Sequence, residues 1–197
     1  LLSSRLSSVF ELFAPDLPGA GVSPIETHPV DLDALAAWLA RAIGRRSPTG
    51  SVGVVGHSLG AAVAVRALRS LHRTALGVFS IEGNLTEADA YLSGEAVAFQ
   101  TGEAFQDHVL RRVRTLAEDV GSGPARALWR YHANLTLAEP EALLDLGRSA
   151  RAASAGDGLG TEYRALPIPS LYYWSPANTP VATQEYVRRH GLCSRSF

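Results

Sequence analysis

Apolar residues gather along this chain in two rhythms. Four short runs have strand length and stop at clusters of turn-forming residues: VFELFAP from Val9 to Pro15, Ser51 to Gly56, Leu76 to Ile81, and Ile168 to Trp174. Between them, apolar positions recur every three or four residues. Leu32, Leu35, Leu39 and Ile43 predict an amphipathic helix that Asp31 caps and Gly44 follows. Ala61 to Arg73 has helical composition, and so does most of the stretch from Thr86 to Leu166. In that stretch Phe105, Val109, Val113, Leu116 and Val120 share one helical face, and Pro140 opens a further helix behind Thr136 and Glu139. The stretch SAGDGLG (154–160) reads as flexible, and Val181 to Arg189 predicts a last helix. No internal repeat or low-complexity segment interrupts this order.

Strands that are continuous apolar runs and alternate with helices predict an α/β fold, a parallel sheet covered by helices on both faces. In such sheets functional groups collect beyond the carboxyl ends of the strands. Composition narrows the picture further. The 197 residues suffice for one α/β domain but not comfortably for two. With 18 basic and 19 acidic residues the net charge is −1, so there is no basic field for nucleic acid. The longest apolar stretch, Ala61 to Leu68, is broken by Arg66 and is too short for a membrane span. LLSSRLSSVFELF does not read as a secretory leader, and Cys193 is the only cysteine, so a cytoplasmic setting and a small-molecule partner are expected, with the oligomeric state left open. No metal or cofactor is expected. The chain does not begin with methionine and contains none, which points to truncation.

The most telling stretch is VVGHSLGAAV, from Val54 to Val63. A histidine and a serine interrupt a small apolar run, with a glycine on either side of the pair. Gly56-His57-Ser58-Leu59-Gly60 fits the G-x-S-x-G nucleophile elbow, a sharp turn between a strand and a helix that holds the serine in a strained conformation above the sheet. The flanking glycines are expected to remove side chains that would clash. The helix N-terminus behind Ser58 favours developing negative charge, and the N–H of Leu59 is the candidate oxyanion donor.

Here the sequence resembles the α/β-hydrolase fold family. Asp16-Leu17-Pro18-Gly19-Ala20-Gly21-Val22-Ser23 is similar to the D-x-P-G-x-G-x-S loop that follows the fourth strand in many members, and the two motifs stand in family order. The resemblance spans Val9 to Gly191. It implies a partial hydrolase core at 1–84 and 167–197, with a helical cap inserted at 85–166. Phe99, Phe105, Trp129, Tyr131 and His132 are candidates for lining an acyl pocket under that cap. Trp129 and His132, with His57 beside the nucleophile, are the residues assigned to substrate binding.

A serine nucleophile needs a base, and the base needs an orienting carboxylate. Many members carry the acid after the seventh strand, but Trp174-Ser175-Pro176-Ala177-Asn178 places Asn178 there. An amide in that role costs about four orders of magnitude in a serine protease. Other members place the acid after the sixth strand, where Glu82 falls, so Glu82 is the assigned acid. Asp16 and Asp89 are rivals, the first in a turn and the second opposite Thr86 in a helical first turn. No histidine is convincing as the base: His57 adjoins the nucleophile and should point away, His28 lies in a loop, His72 ends a helix, His108 and His132 belong to the cap, and His190 ends the last helix too early. By the resemblance the chain is expected to be a fragment that lacks the first three strands, the eighth strand and the catalytic histidine.

The expected activity is that of a serine hydrolase cleaving an ester-like substrate through an acyl-enzyme, with little turnover by this chain alone. Acyl transfer, perhydrolysis and carbon–carbon hydrolysis would use the same residues. A non-catalytic small-ligand-binding protein is the alternative from another class.

Overall fold

The computed structural model describes residues 6–71 and 75–196. In chain order the elements are α1 (Leu32–Arg46), β1 (Val52–His57), α2 (Leu59–Leu71) and β2 (Ala75–Ile81). Two 3₁₀ turns follow, Glu87–Ala90 and Ser93–Ala98, then α3 (Gly102–Asp119), α4 (Ser122–Leu135) and α5 (Pro140–Ser154). A third 3₁₀ turn, Ala155–Asp157, leads into α6 (Gly158–Arg164), and β3 (Ser170–Trp174), α7 (Val181–Arg189) and β4 (Ser194–Ser196) complete the chain.

The four strands form one parallel sheet in the order β1-β2-β3-β4. Side chains alternate across it. Val54 stands opposite Val78, and Ser80 opposite Tyr172, on the face where α2 and α7 pack. Ala64, Val65 and Leu68 of α2 join Tyr172, Trp174, Tyr186 and Val187 there in one buried cluster. The opposite face carries Val55, which is 60% exposed, and the rings of Phe79 and Tyr173 with centroids 5.7 Å apart.

Helix α1 forms as its sequence predicts. The Asp31 carboxylate accepts the Ala34 N–H at 2.7 Å, Arg45 and Arg46 sit in the last turn, and Leu32, Leu35 and Ile43 are buried. Leu32 and Leu35 pack with Ala62 and Val63 of α2, and with Ala142 and Leu159 of the helical segment, so α1 locks α2 in place from outside. Between β2 and β3, Phe105, Val109, Val113, Leu135 and Leu144 form a separate cluster joining α3, α4 and α5. The α3 seam runs on through buried Ala117, while Leu116 is 45% exposed and Val120 lies past the helix end.

Three expectations are corrected. Val9 to Pro15 is not a strand: Val9 is 73% exposed and Phe10 55%, because a strand needs a ladder, and among the described residues β1 pairs only with β2. SAGDGLG is not a loose connector but the end of α5, a 3₁₀ turn and the start of α6. Its glycine at 160 serves close packing: a Cβ there would lie 2.6 Å from the Tyr186 ring, and the Gly160 N–H donates to the Leu85 carbonyl at 2.7 Å. Finally, a strand does follow the last helix. Ser194, Arg195 and Ser196 pair in parallel with Tyr172, Tyr173 and Trp174, and their polar composition hides them from an apolar pattern. His72 lies outside the described residues.

Candidate active site

Ser58 sits where β1 turns into α2, at φ 51°, a left-handed conformation that costs a residue with a Cβ about 1–2 kcal/mol. The turn is clamped from both sides. The Ser58 N–H donates to the Ile81 carbonyl at 3.0 Å, and its own carbonyl accepts the Ala61 N–H at 3.0 Å. Gly56 is sterically required, since a Cβ there would lie 2.5 Å from the Ala61 Cα and 2.8 Å from its nitrogen. Gly60 is not, because nothing described lies within 4 Å of a Cβ built on it. The expectation that both flanking glycines relieve clashes therefore holds for one of them. Leu59 is the first residue of α2, where an N–H has no carbonyl ahead of it in the helix.

Glu82 directly follows β2, one strand away, and is also left-handed, at φ 46°. Its N–H donates to the Tyr173 carbonyl at 2.8 Å, and its carboxylate accepts the Ser175 N–H at 3.2 Å, which ties the ends of β2 and β3 together. Next to it, Asn84 is 5% exposed. The Asn84 side-chain N–H donates to the Asp89 carbonyl at 3.2 Å, leaving Oδ1 to accept a long hydrogen bond, 3.4 Å, from the Ser58 hydroxyl. Asp89 is consumed by structure: its carboxylate accepts the N–H groups of Leu85 and Thr86, each at 2.8 Å, and the Thr183 hydroxyl at 2.8 Å. Asp16 is likewise a turn residue, accepting the Val22 N–H at 3.3 Å, and its loop is anchored by the Glu139 N–H on the Gly19 carbonyl.

Above the strand ends lies a cleft of about 410 Å³, part of it open to solvent. His57, Ser58 and Glu82 border it, as the sequence reading brings together. Asn84, Asp89, Tyr91, Asn178, Thr179 and Pro180 line the rest of it. Trp129 and His132 do not border it. They stack edge to face on α4 with centroids 5.6 Å apart, and Trp129 is 43% exposed. Burial first, then Glu82 and Asp89, raise the Tyr91 hydroxyl above its ordinary pKa. Tyr131 on α4 is raised by burial and then by Tyr91.

Among the described residues, His57 is the only imidazole at the cleft. His28 faces Asp145 at 4.0 Å, and His108 bonds Glu95 at 2.6 Å. His190 lies with its ring 4.3 Å from that of Tyr186 and is held below its ordinary pKa by desolvation and by Arg164 and Arg189. Asn84, Tyr91 and Thr179 were not singled out from the sequence. Asn84 offered the one available signal, standing two residues past Glu82 in a strand-end turn.

The sequence profile of the alpha/beta hydrolase family matches residues 1–194. The chain belongs to the alpha/beta hydrolase family. Solved alpha/beta hydrolases share its fold. A thermophilic esterase from Thermogutta terrifontis superposes with a TM-score of 0.70 at 19% identity, over 98% of this chain and 72% of the esterase. A hydrolase from Oleispira antarctica gives 0.72 at 13% identity, over 98% of this chain and 74% of its own. An esterase from Exiguobacterium antarcticum gives 0.65 at 16%, over 92% and 70%. No curated protein matches the sequence. At these identities the likeness establishes the alpha/beta hydrolase fold, and the chemistry rests on the site.

Proposed function

We propose that this alpha/beta hydrolase is a serine hydrolase acting on a small ester-like substrate. The supporting observation is the left-handed Ser58, clamped between Ile81 and Ala61 at the N-terminus of α2 and open to a cleft. Ser58 Oγ attacks the substrate carbonyl, the ester C–O bond breaks, the alcohol leaves, and an acyl-enzyme remains for water to cleave. The Leu59 N–H stabilises the oxyanion. Glu82 is the carboxylate that orients an imidazole beside Ser58, since Asn178 carries no charge and Asp89 is already fully engaged. The helices within 85–166 act as a cap over the cleft, and the lone exposed thiol of Cys193 fits a cytoplasmic setting. No helix among the described residues is long and apolar enough to cross a membrane.

With His57 the only described imidazole at the cleft, the 197-residue chain turns over slowly and responds to added base. Fluorophosphonate treatment with and without imidazole, read by peptide mass spectrometry, tests this. The expected result is a label on Ser58 that forms faster with imidazole and disappears in Ser58→Ala. A folded chain that takes no label in imidazole refutes the nucleophile.

A further inference from the structure

A buried amide meets the nucleophile from the turn after β2. Asn84 is 5% exposed and borders the Ser58 cleft. Its turn is held from several directions. The Gly83 carbonyl accepts the Tyr172 hydroxyl at 2.9 Å, the Leu85 N–H donates to the Asp89 carboxylate at 2.8 Å, and the Leu85 carbonyl accepts the Gly160 N–H at 2.7 Å. Gly83 leaves no slack either, since a Cβ there would lie 2.6 Å from the Ala61 Cβ in the first turn of α2. Asn84 is thereby fixed relative to the helix that begins behind Ser58.

The orientation of the amide follows from its other partner. The Asp89 carbonyl can only accept, so it takes the Asn84 Nδ2–H at 3.2 Å, and the opposite orientation would set two oxygens against each other. Oδ1 is therefore the atom toward Ser58, and it too can only accept. The Ser58 hydroxyl has one proton, and among the described residues it donates that proton to Asn84 Oδ1, at 3.4 Å. An amide oxygen is too weak a base to take the proton away. The bond consequently exists while Ser58 is a neutral hydroxyl and is lost once the proton moves to an imidazole.

We infer that Asn84 restrains Ser58, stabilising the free hydroxyl but not the transition state of its attack. The inference rests on Ser58 being the nucleophile. An interaction made only in the ground state raises the barrier by what it is worth. A neutral hydrogen bond is worth about two- to tenfold in rate, and a length of 3.4 Å places this one toward the lower end. The covalent adduct carries no proton on Oγ, so it forgoes the bond as well.

The test is the rate of fluorophosphonate labelling of the 197-residue chain in imidazole buffer, for the unsubstituted chain, Asn84→Ala and Asn84→Asp. Ser58→Ala gives the background, and peptide mass spectrometry gives the site. In this reaction Ser58 Oγ bonds to phosphorus, the P–F bond breaks, fluoride leaves with the electron pair, and the serine proton passes to imidazole. Asn84→Ala is expected to label about threefold faster, even though urea unfolding shows it less stable. A merely structural asparagine predicts the reverse, slower labelling from a disturbed turn. Asn84→Asp keeps an oxygen beside Ser58 Oγ but makes it a base. Its labelling without imidazole is expected to exceed that of the unsubstituted chain and to rise with pH as a single carboxyl group ionises. A folded Asn84→Ala that labels at the unsubstituted rate or slower overturns the inference and leaves Ser58 as nucleophile. Where Asn84→Ala does not fold, an Asn84→Asp that lacks the pH-dependent gain does the same. No label on Ser58 in any folded form with imidazole present overturns the nucleophile and this inference together.

Discussion

The two glycines of the elbow look equivalent in sequence, and the structure makes them opposites. Gly56→Ala places a Cβ 2.5 Å from the Ala61 Cα, 2.8 Å from the Ala61 nitrogen and 2.9 Å from the Gly60 carbonyl oxygen. All three are backbone atoms, so no side chain can rotate away, and normal contact at about 3.5 Å requires β1 and α2 to separate by on the order of 1 Å. Gly56 is paired with Ser80 and cannot shift without disturbing that ladder. Overpacking of this kind costs about 2–3 kcal/mol. Gly60→Ala meets nothing within 4 Å and gains helix propensity in the first turn of α2, a stabilisation of about 0.5 kcal/mol. The pair should therefore differ by about 3 kcal/mol, or on the order of 6–12 °C in Tm for a chain of this size. Urea unfolding of both variants, with the slope checked for constancy, measures it. Equal stabilities, or a Gly60→Ala more damaging than Gly56→Ala, would refute the clash argument and the elbow geometry with it.

Further outcomes follow from the same contacts. Ser58→Gly should stabilise the fold by about 0.5–1 kcal/mol, left-handed strain relieved less the entropy returned to the unfolded chain, whereas Ser58→Ala keeps the Cβ and should not; denaturation midpoints of the two separate them. Glu162→Ala removes two of the three bonds, 2.9 and 2.7 Å, that hold the Arg66 guanidinium, itself only 15% exposed, leaves the Asp33 bond at 3.1 Å, and should cost about 1–3 kcal/mol by urea unfolding. The Tyr172 hydroxyl donates to the Gly83 carbonyl at 2.9 Å and is pushed well above its ordinary pKa by burial, then by Asp89 and Glu82. Because the folded state holds that proton more tightly than the unfolded state, its contribution is complete below about pH 10 and is lost as pH rises toward the folded value. Tyr172→Phe should therefore flatten the alkaline fall in stability seen in pH-dependent unfolding.

Local signals made part of this molecule legible. Asp31, Leu32, Leu35 and Ile43 carry both the cap and the buried face of α1, and the β-branched run before Gly56 with the alanines after Gly60 announce the strand, turn and helix around Ser58. Asp89 opposite Thr86 reads as a helical first turn, and that is where its carboxylate is spent. What stayed hidden depends on partners far along the chain. Val9 to Pro15 has strand composition but no ladder to join. Ser194 to Ser196 has no apolar pattern yet joins β3. The cleft wall brings Tyr91 and Thr179 together from segments separated by the whole helical block, and no spacing rule in the sequence connects them.

In the proposed reaction the elbow presents Ser58 as a nucleophile with the Leu59 N–H behind it. A crystal structure of the fluorophosphonate-treated chain tests it most directly. The expected result is phosphorus bonded to Ser58 Oγ and the phosphonyl oxygen about 2.7–3.1 Å from the Leu59 nitrogen. An adduct on another residue, or a phosphonyl oxygen turned away from the start of α2, would contradict it.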